Sequence, residues 1–122
     1  MTVRGIRGAT TIEADMAENV LSATRELLLA IIRANPTLRS EDIASVLFTA
    51  TDDICSAYPA KAARELGWTE AALMCAREIP VAGSLPLCIR VLITWNTPVP
   101  QAEVRHVYLR EAAGLRPDLS QA

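Results

Sequence analysis

"LCIRVLITW", Leu87 to Trp95, reads as a buried strand with one charged residue at its centre. Eight of its nine residues are apolar or small enough to be buried. The ninth, Arg90, carries a guanidinium that no ordinary pH neutralises, so burying it alone is very costly. Such a charge calls for a partner. Either a carboxylate of the fold supplies it or an anion from outside does.

Outward from this strand, the chain divides into further strands and one firm helix. "VRGIRGATTI", Val3 to Ile12, reads as a first strand. Val3, Gly5, Arg7 and Ala9 share one of its faces; Arg4, Ile6, Gly8 and Thr10 share the other. Asp15, with Glu18 three residues on, resembles a capping box. The helix expected next covers Met16 to Ala34. Val20, Leu21, Thr24, Leu27, Leu28, Ile31 and Ile32 form its apolar stripe, and Pro36 ends it. Ser40 reads as the cap of one helical turn. Val46–Thr51 reads as a second strand, and "YPAKAARELGW" as a short helix with Pro59 near its start and Gly67 at its end.

"AALMCAREI" reads as a third strand bounded by Pro80. "VAGSLP" is a turn, and "LCIRVLITW" is the fourth strand. "NTPVPQAE" is a proline-marked connection. "VRHVYL" is a short fifth strand, and "REAAGLRPDLSQA" is a last helical turn with a tail expected to be mobile from about residue 115. The fold class is α+β: five strands, one long helix and short helical turns, in a single domain over residues 1–122. One helix covers one face of such a sheet. The other face is expected to meet a neighbouring subunit.

Composition narrows the function. The 122 residues suit one domain, and 51% hydrophobic with 21% charged residues describes a folded globular chain. That apolar share is high for a lone small domain, which hints at an oligomer interface. Net charge is −2, aromatic residues are 4%, and there is no basic run, so no nucleic-acid partner is expected. No apolar run reaches the roughly 18 residues a membrane span needs, and no signal-peptide core is visible. Cys55, Cys75 and Cys88 are odd in number and lack CxxC spacing. A reduced cytoplasm without structural zinc is the simplest reading. Eleven of the twelve basic residues are Arg, the better fork for a carboxylate.

The out-of-place residues carry the chemistry. Arg7 and Arg90 each lie inside a strand pattern rather than at its end. Gly5 and Gly8 flank Arg7 and let a ligand or another backbone come close. Each arginine has a bland explanation, a salt bridge within the fold. Yet Glu78, in "CAREIPV", is the only acid in the third and fourth strands. Two forks and one carboxylate leave positive charge in excess, which suits an anionic ligand. Cys75 lies three residues before Glu78, so in a regular strand the two side chains point to opposite faces. Either a bulge brings them together or one contributes through its backbone. Tyr108 caps a core edge or donates to an anion. His106, the only histidine, shares its face. No metal cluster, phosphate cradle, acid pair or nucleophile–base pair is visible. Fixed donors and cations suit a ligand with two carboxylates and a reaction that needs only electrostatic stabilisation and positioning.

"RGIRGATT" near the start, "YPAKAARELGW" in the middle, and "CIRV" and "VRHVYLREAAGLRPDL" toward the end resemble the monofunctional chorismate mutases of the trimeric α/β class. The resemblance covers nearly the whole chain, with the motifs in order. It implies a five-stranded mixed sheet that trimerises into a pseudo-α/β barrel, with active sites in the clefts between subunits. It implies the Claisen rearrangement of chorismate to prephenate, in the branch toward phenylalanine and tyrosine, without a cofactor. By the same resemblance, Arg90 reaches the ether oxygen and a carboxylate of the substrate. Arg7 and Tyr108 hold the enolpyruvyl carboxylate. Glu78 and the Cys75 region contact the ring hydroxyl. Tyr58, Ala60, Lys61 and Arg64 approach from the neighbouring subunit, and Leu115 and Arg116 lie on the segment that closes the mouth. Tyr58 stands where the family also accepts Phe, so its role is shape. Met74 departs from the smaller or polar residues of relatives, which leaves it a backbone contact.

Two other functions fit parts of this pattern. One is a trimer that binds an aromatic or dicarboxylate metabolite without turning it over. The other is a small interfacial hydrolase or deaminase of the trimeric imine-deaminase kind, for which no residue of the chain speaks.

Overall fold

The computed structural model describes residues 2–115; Met1, Arg116 and the rest of the expected mobile tail lie outside the described residues. The strands are β1 (Thr2–Thr11), β2 (Ile43–Ala50), β3 (Ala72–Arg77), β4 (Cys88–Thr97) and β5 (Val107–Tyr108). The helices are α1 (Ala17–Ala34) and the short α2 (Ala60–Glu65). Turns of 3-10 helix occupy Ser40–Asp42, Gln101–Glu103 and Arg110–Gly114. The strands form one sheet in the order β3-β2-β4-β1-β5. β4 runs antiparallel to both its neighbours, β1 and β2, while the outer pairs β2–β3 and β1–β5 are parallel, so the sheet is mixed.

The strand that opened the reading is the middle of this sheet. Its Ile89, Val91, Ile93 and Trp95 turn to one side and are buried. Ile6 of β1 and Val46 and Phe48 of β2 join them on that side. α1 covers this face with Val20, Ala23, Thr24, Leu27, Leu28 and Ile31. Leu21 and Ile32, expected in the stripe, are half-buried at its edges, and Ala23 takes a central place. Truncating Leu27 or Leu28 to Ala would cost ~2–5 kcal/mol, the usual scale for an emptied core site. The buried Thr24 hydroxyl is satisfied by donating to the Val20 carbonyl at 2.7 Å.

The helix stops at Ala34, ahead of Pro36, as expected. Buried Asn35 then stitches its end to the approach of β5. Its amide donates to the carbonyls of Ile31 (3.0 Å) and Arg105 (2.9 Å), and its oxygen accepts the Arg105 N–H at 3.0 Å. α2 ends as the sequence suggests. Gly67 adopts φ +91°, and the N–H groups of Gly67 and Trp68 return to the carbonyls of Arg64 and Ala63.

Three local expectations need correction. Asp15 forms no capping box: Met16 holds the cap position and no side chain bonds there. The Asp15 carboxylate turns outward to the loop after β2, where it accepts the N–H groups of Cys55 (2.9 Å) and Ser56 (3.1 Å) and the Ser56 hydroxyl (2.6 Å). That loop gives the carboxylate three donors, two amides and a hydroxyl, where a cap would give it the free amides of the first helical turn alone. Ser40 opens its turn instead of capping it. β2 begins at Ile43 rather than Val46, because β4 extends to Thr97 and offers Trp95 as a partner for Ile43 across a register shift.

Among the described residues no α-helix covers the opposite face of the sheet. The register places Arg7, Leu92, Leu47 and Met74 in one row across β1, β4, β2 and β3. Leu92 is 44% exposed, Leu47 36% and Met74 66%. No helix among the described residues is long and apolar enough to cross a membrane.

Candidate active site

Strand alternation puts Arg90 on the open face, between Cys88 and Leu92. In the row beside the Arg7 row, Ala9, Arg90, Thr49 and Ala76 face one another across four strands. Glu78 follows the end of β3, where its N–H still bonds the Ala50 carbonyl at 2.9 Å. That bond continues the strand parity by one more step, so Glu78 points to the open face with Met74 and Ala76. Its carboxylate reaches over Thr49 toward β4, and Oε2 comes within 3.3 Å of Arg90 Nε.

The pair is close without being locked. Nε of Arg90 is buried and has no hydrogen-bond partner, although Oε2 of Glu78 stands 3.3 Å away. The same Oε2 accepts the Thr49 hydroxyl. The Arg90 side chain as a whole is 38% exposed, so part of it reaches solvent although Nε does not.

Arg7, Thr49, Glu78, Arg90, Leu92 and Tyr108 line a shallow depression of about 270 Å³. A second depression of about 410 Å³, lined by Thr51, Asp53, Ile79 and Leu85, shares Glu78 and Arg90 as its wall. Arg7 makes no ion pair among the described residues. Its backbone N–H is taken by Nδ1 of His106 at 2.9 Å, which extends the β1–β5 pairing one residue beyond Gly8 and Val107. Tyr108 is buried and packs with Ala9, Cys88 and Ala112, with Leu115 against that cluster. Arg110, two residues on, adopts φ +54°, which ends β5 after two residues and turns the chain back over the open face.

Cys88 lies beneath Arg90 on the same face and is fully buried. Burial pushes its thiol above the ordinary value of 9.0; the Arg90 charge opposes this and is outweighed. The thiol therefore stays protonated near neutral pH and serves as packing. No group of three or more His, Cys, Asp or Glu side chains converges as a metal site among the described residues.

The sequence-derived candidates do not all meet within one chain. Arg7, Glu78, Arg90 and Tyr108 share one depression. Met74 stands on the same face, next to Leu47, while Leu115 abuts Tyr108. Cys75 does not join them: β3 pairs with β2 in unbroken register, and the Cys75 side chain packs toward the main core. Of the two routes open to Cys75, the bulge is absent, and only its backbone reaches the Glu78 side. Tyr58, Lys61 and Arg64 are exposed on and before α2, away from Arg90 within this chain. Ala60 is buried, so it offers a ligand only backbone. Arg116 lies outside the described residues. Sequence reasoning missed Thr49 and Cys88. The alternation in "VLFTAT" and "LCIRV" carried the signal, since each residue falls on the Arg90 face.

The open sheet thus presents Arg7, Arg90 and Glu78 around one shallow depression, an arrangement suited to an anionic ligand. The chain belongs to the chorismate mutase type I family, whose model matches residues 3–119. Its function is that of a chorismate mutase, an isomerase. It is 58% identical over 120 residues to chorismate mutase AroH of Thermus thermophilus, covering 98% of both chains. It is 50% identical over 121 residues to chorismate mutase AroH of Bacillus subtilis strain 168, covering 98% of this chain and 94% of that one. The solved chorismate mutase from Clostridium thermocellum superposes with a TM-score of 0.86 at 45% identity, over 88% of this chain and 96% of that one.

Proposed function

We propose that the protein converts chorismate to prephenate with Arg90 as its principal electrostatic catalyst, at sites shared between the subunits of a cytoplasmic homotrimer. Chorismate carries two carboxylates and rearranges unimolecularly, so no proton donor or nucleophile is required. Breaking the C–O bond runs ahead of forming the C–C bond, and negative charge gathers on the ether oxygen. A guanidinium already in place there stabilises the transition state more than the ground state. Arg7 and Tyr108 clamp the enolpyruvyl carboxylate and bias the substrate toward the compact conformer in which the reacting carbons meet. Glu78, with the backbone near Cys75 and Met74, takes the ring hydroxyl.

One observation carries this reading: Arg7 and Arg90 stand on one open face, Glu78 approaches Arg90 from the side away from Arg7, and Arg90 Nε is left without a hydrogen bond. The trimer is supported by the apolar row of Leu92, Leu47 and Met74, which nothing among the described residues covers. A neighbouring copy would bury that row and bring its Tyr58, Lys61 and Arg64 to the cleft, with Leu115 and Arg116 closing the mouth. A cytoplasmic location is supported by three cysteines, which cannot all pair within one chain. The single-domain organisation belongs to the same proposal. Purified protein should consume chorismate, read as loss of its absorbance, and yield prephenate. Saturable binding without turnover would contradict the proposal.

A further inference from the structure

We infer that Thr49 is a positioning residue of this site, holding Glu78 so that it faces Arg90 without neutralising it. The inference rests on the proposed roles of Glu78 and Arg90 and adds a residue that those roles do not include.

Thr49 is the direct register partner of Arg90 across β2 and β4, and both face the open side. Glu78 must reach across β2 to approach Arg90, and Thr49 lies beneath that span. The Thr49 hydroxyl donates to Oε2 of Glu78, the same oxygen that stands 3.3 Å from Arg90 Nε. A β-branched side chain on a strand has a restricted χ1, so this donor is aimed before the carboxylate arrives. Its proton takes a lone pair of Oε2 that Arg90 would otherwise use.

The consequence concerns the cation. A carboxylate free to rotate would settle into the parallel two-bond geometry that Arg forks favour. That would satisfy the guanidinium with protein charge and weaken it as a stabiliser of charge developing on a substrate. Held by Thr49, Glu78 instead leaves Nε of Arg90 unbonded. The carboxylate still offsets part of the charge of a guanidinium whose Nε is buried. Thr49 therefore acts through Glu78, and its effect appears in the chemical step more than in substrate capture.

The test compares Thr49→Val, Thr49→Ser and Glu78→Gln, with the double variant Thr49→Val/Glu78→Gln, by steady-state turnover of chorismate. Thermal unfolding of each variant reports the fold. Thr49→Val keeps shape and loses the donor. Its kcat is expected to fall by about tenfold, the scale of one hydrogen bond to a charged group, with a smaller change in KM. Thr49→Ser restores most of the lost kcat. In the Glu78→Gln background, Thr49→Val costs much less than in the native background, since the two act as one unit.

An active native protein whose Thr49→Val variant keeps full kcat overturns this inference alone. So does a Thr49→Ser variant as impaired as Thr49→Val, or a Thr49→Val cost of equal size with and without Glu78. Native protein with no chorismate turnover overturns the proposed reaction and this inference with it. If Thr49→Val fails to fold, the Thr49→Ser result decides: kcat near the native value supports the inference, and a tenfold loss with the native unfolding temperature overturns it.

Discussion

Glu78 approaches Arg90 from two strands away, its Oε2 3.3 Å from Arg90 Nε across the top of Thr49, and the two are not joined by a hydrogen bond at Nε. A pair bonded through the full fork would satisfy the guanidinium with protein charge. Here the carboxylate side chain is 21% exposed and the guanidinium 38%. The pair keeps the cation in place on the sheet and leaves charge facing the cleft. Arg7, with no carboxylate of its own among the described residues, adds to that excess.

Gly8 fixes how closely β5 can approach β1. A Cβ there would meet Ile31 Cδ1 at 3.0 Å, the Val107 carbonyl oxygen at 3.1 Å and Val91 Cγ1 at 3.2 Å. The side-chain ends can shift, but the backbone oxygen moves only if β5 moves. Gly8→Ala should lower stability by about 1–3 kcal/mol, the range for overpacking. It should also raise KM by displacing Tyr108. Denaturant unfolding and steady-state kinetics read both, and unchanged values would contradict this account of the β1–β5 contact.

Asp15 holds the loop leading to Tyr58 and α2. Its carboxyl lies below the ordinary 3.8, chiefly through the Ser56 hydroxyl, with the Cys55 and Ser56 amides and the Arg77 charge adding to the effect. A lowered native value means the ionised form is favoured by folding. Its contribution is complete above the ordinary carboxylate value and is lost as pH falls through the native one. Asp15→Asn should therefore be less stable than the native protein at neutral pH, and the gap should close on acidification. Urea midpoints across that pH range test this; a gap constant with pH would count against it.

The proposed sharing of sites between subunits makes a distinct forecast. Arg90→Ala and Arg64→Ala proteins should each be impaired as pure trimers. After subunit exchange, random assortment gives roughly a quarter of the clefts both native residues. Activity should rise toward that share. No recovery after verified exchange would show that Arg64 does not complete the cleft holding Arg90.

Much of this was readable in the chain because strand alternation is strict. "LCIRVLITW" and "VRGIRGATTI" assign Arg90 and Arg7 to a face once the apolar residues are assigned to the other. The same rule correctly separated Cys75 from Glu78. What it could not supply was the span between strands: that Glu78 crosses Thr49 depends on β2 lying between β3 and β4, an order set by tertiary packing. The shortness of β5 was hidden too, since it follows from the backbone of Arg110 at φ +54°. Asp15 misled for a related reason. A capping pattern was present, but a loop distant in sequence supplied three donors to the same carboxylate.

The central claim is that a fixed positive charge at position 90 stabilises the oxygen that gains electron density as the ether bond breaks. The direct measurement is kcat for chorismate loss in native protein and in folded Arg90→Ala. The account predicts a fall of at least ~100-fold, the scale of losing one oxyanion donor, with a larger share in kcat than in KM. Turnover within a few-fold of the native rate would contradict it.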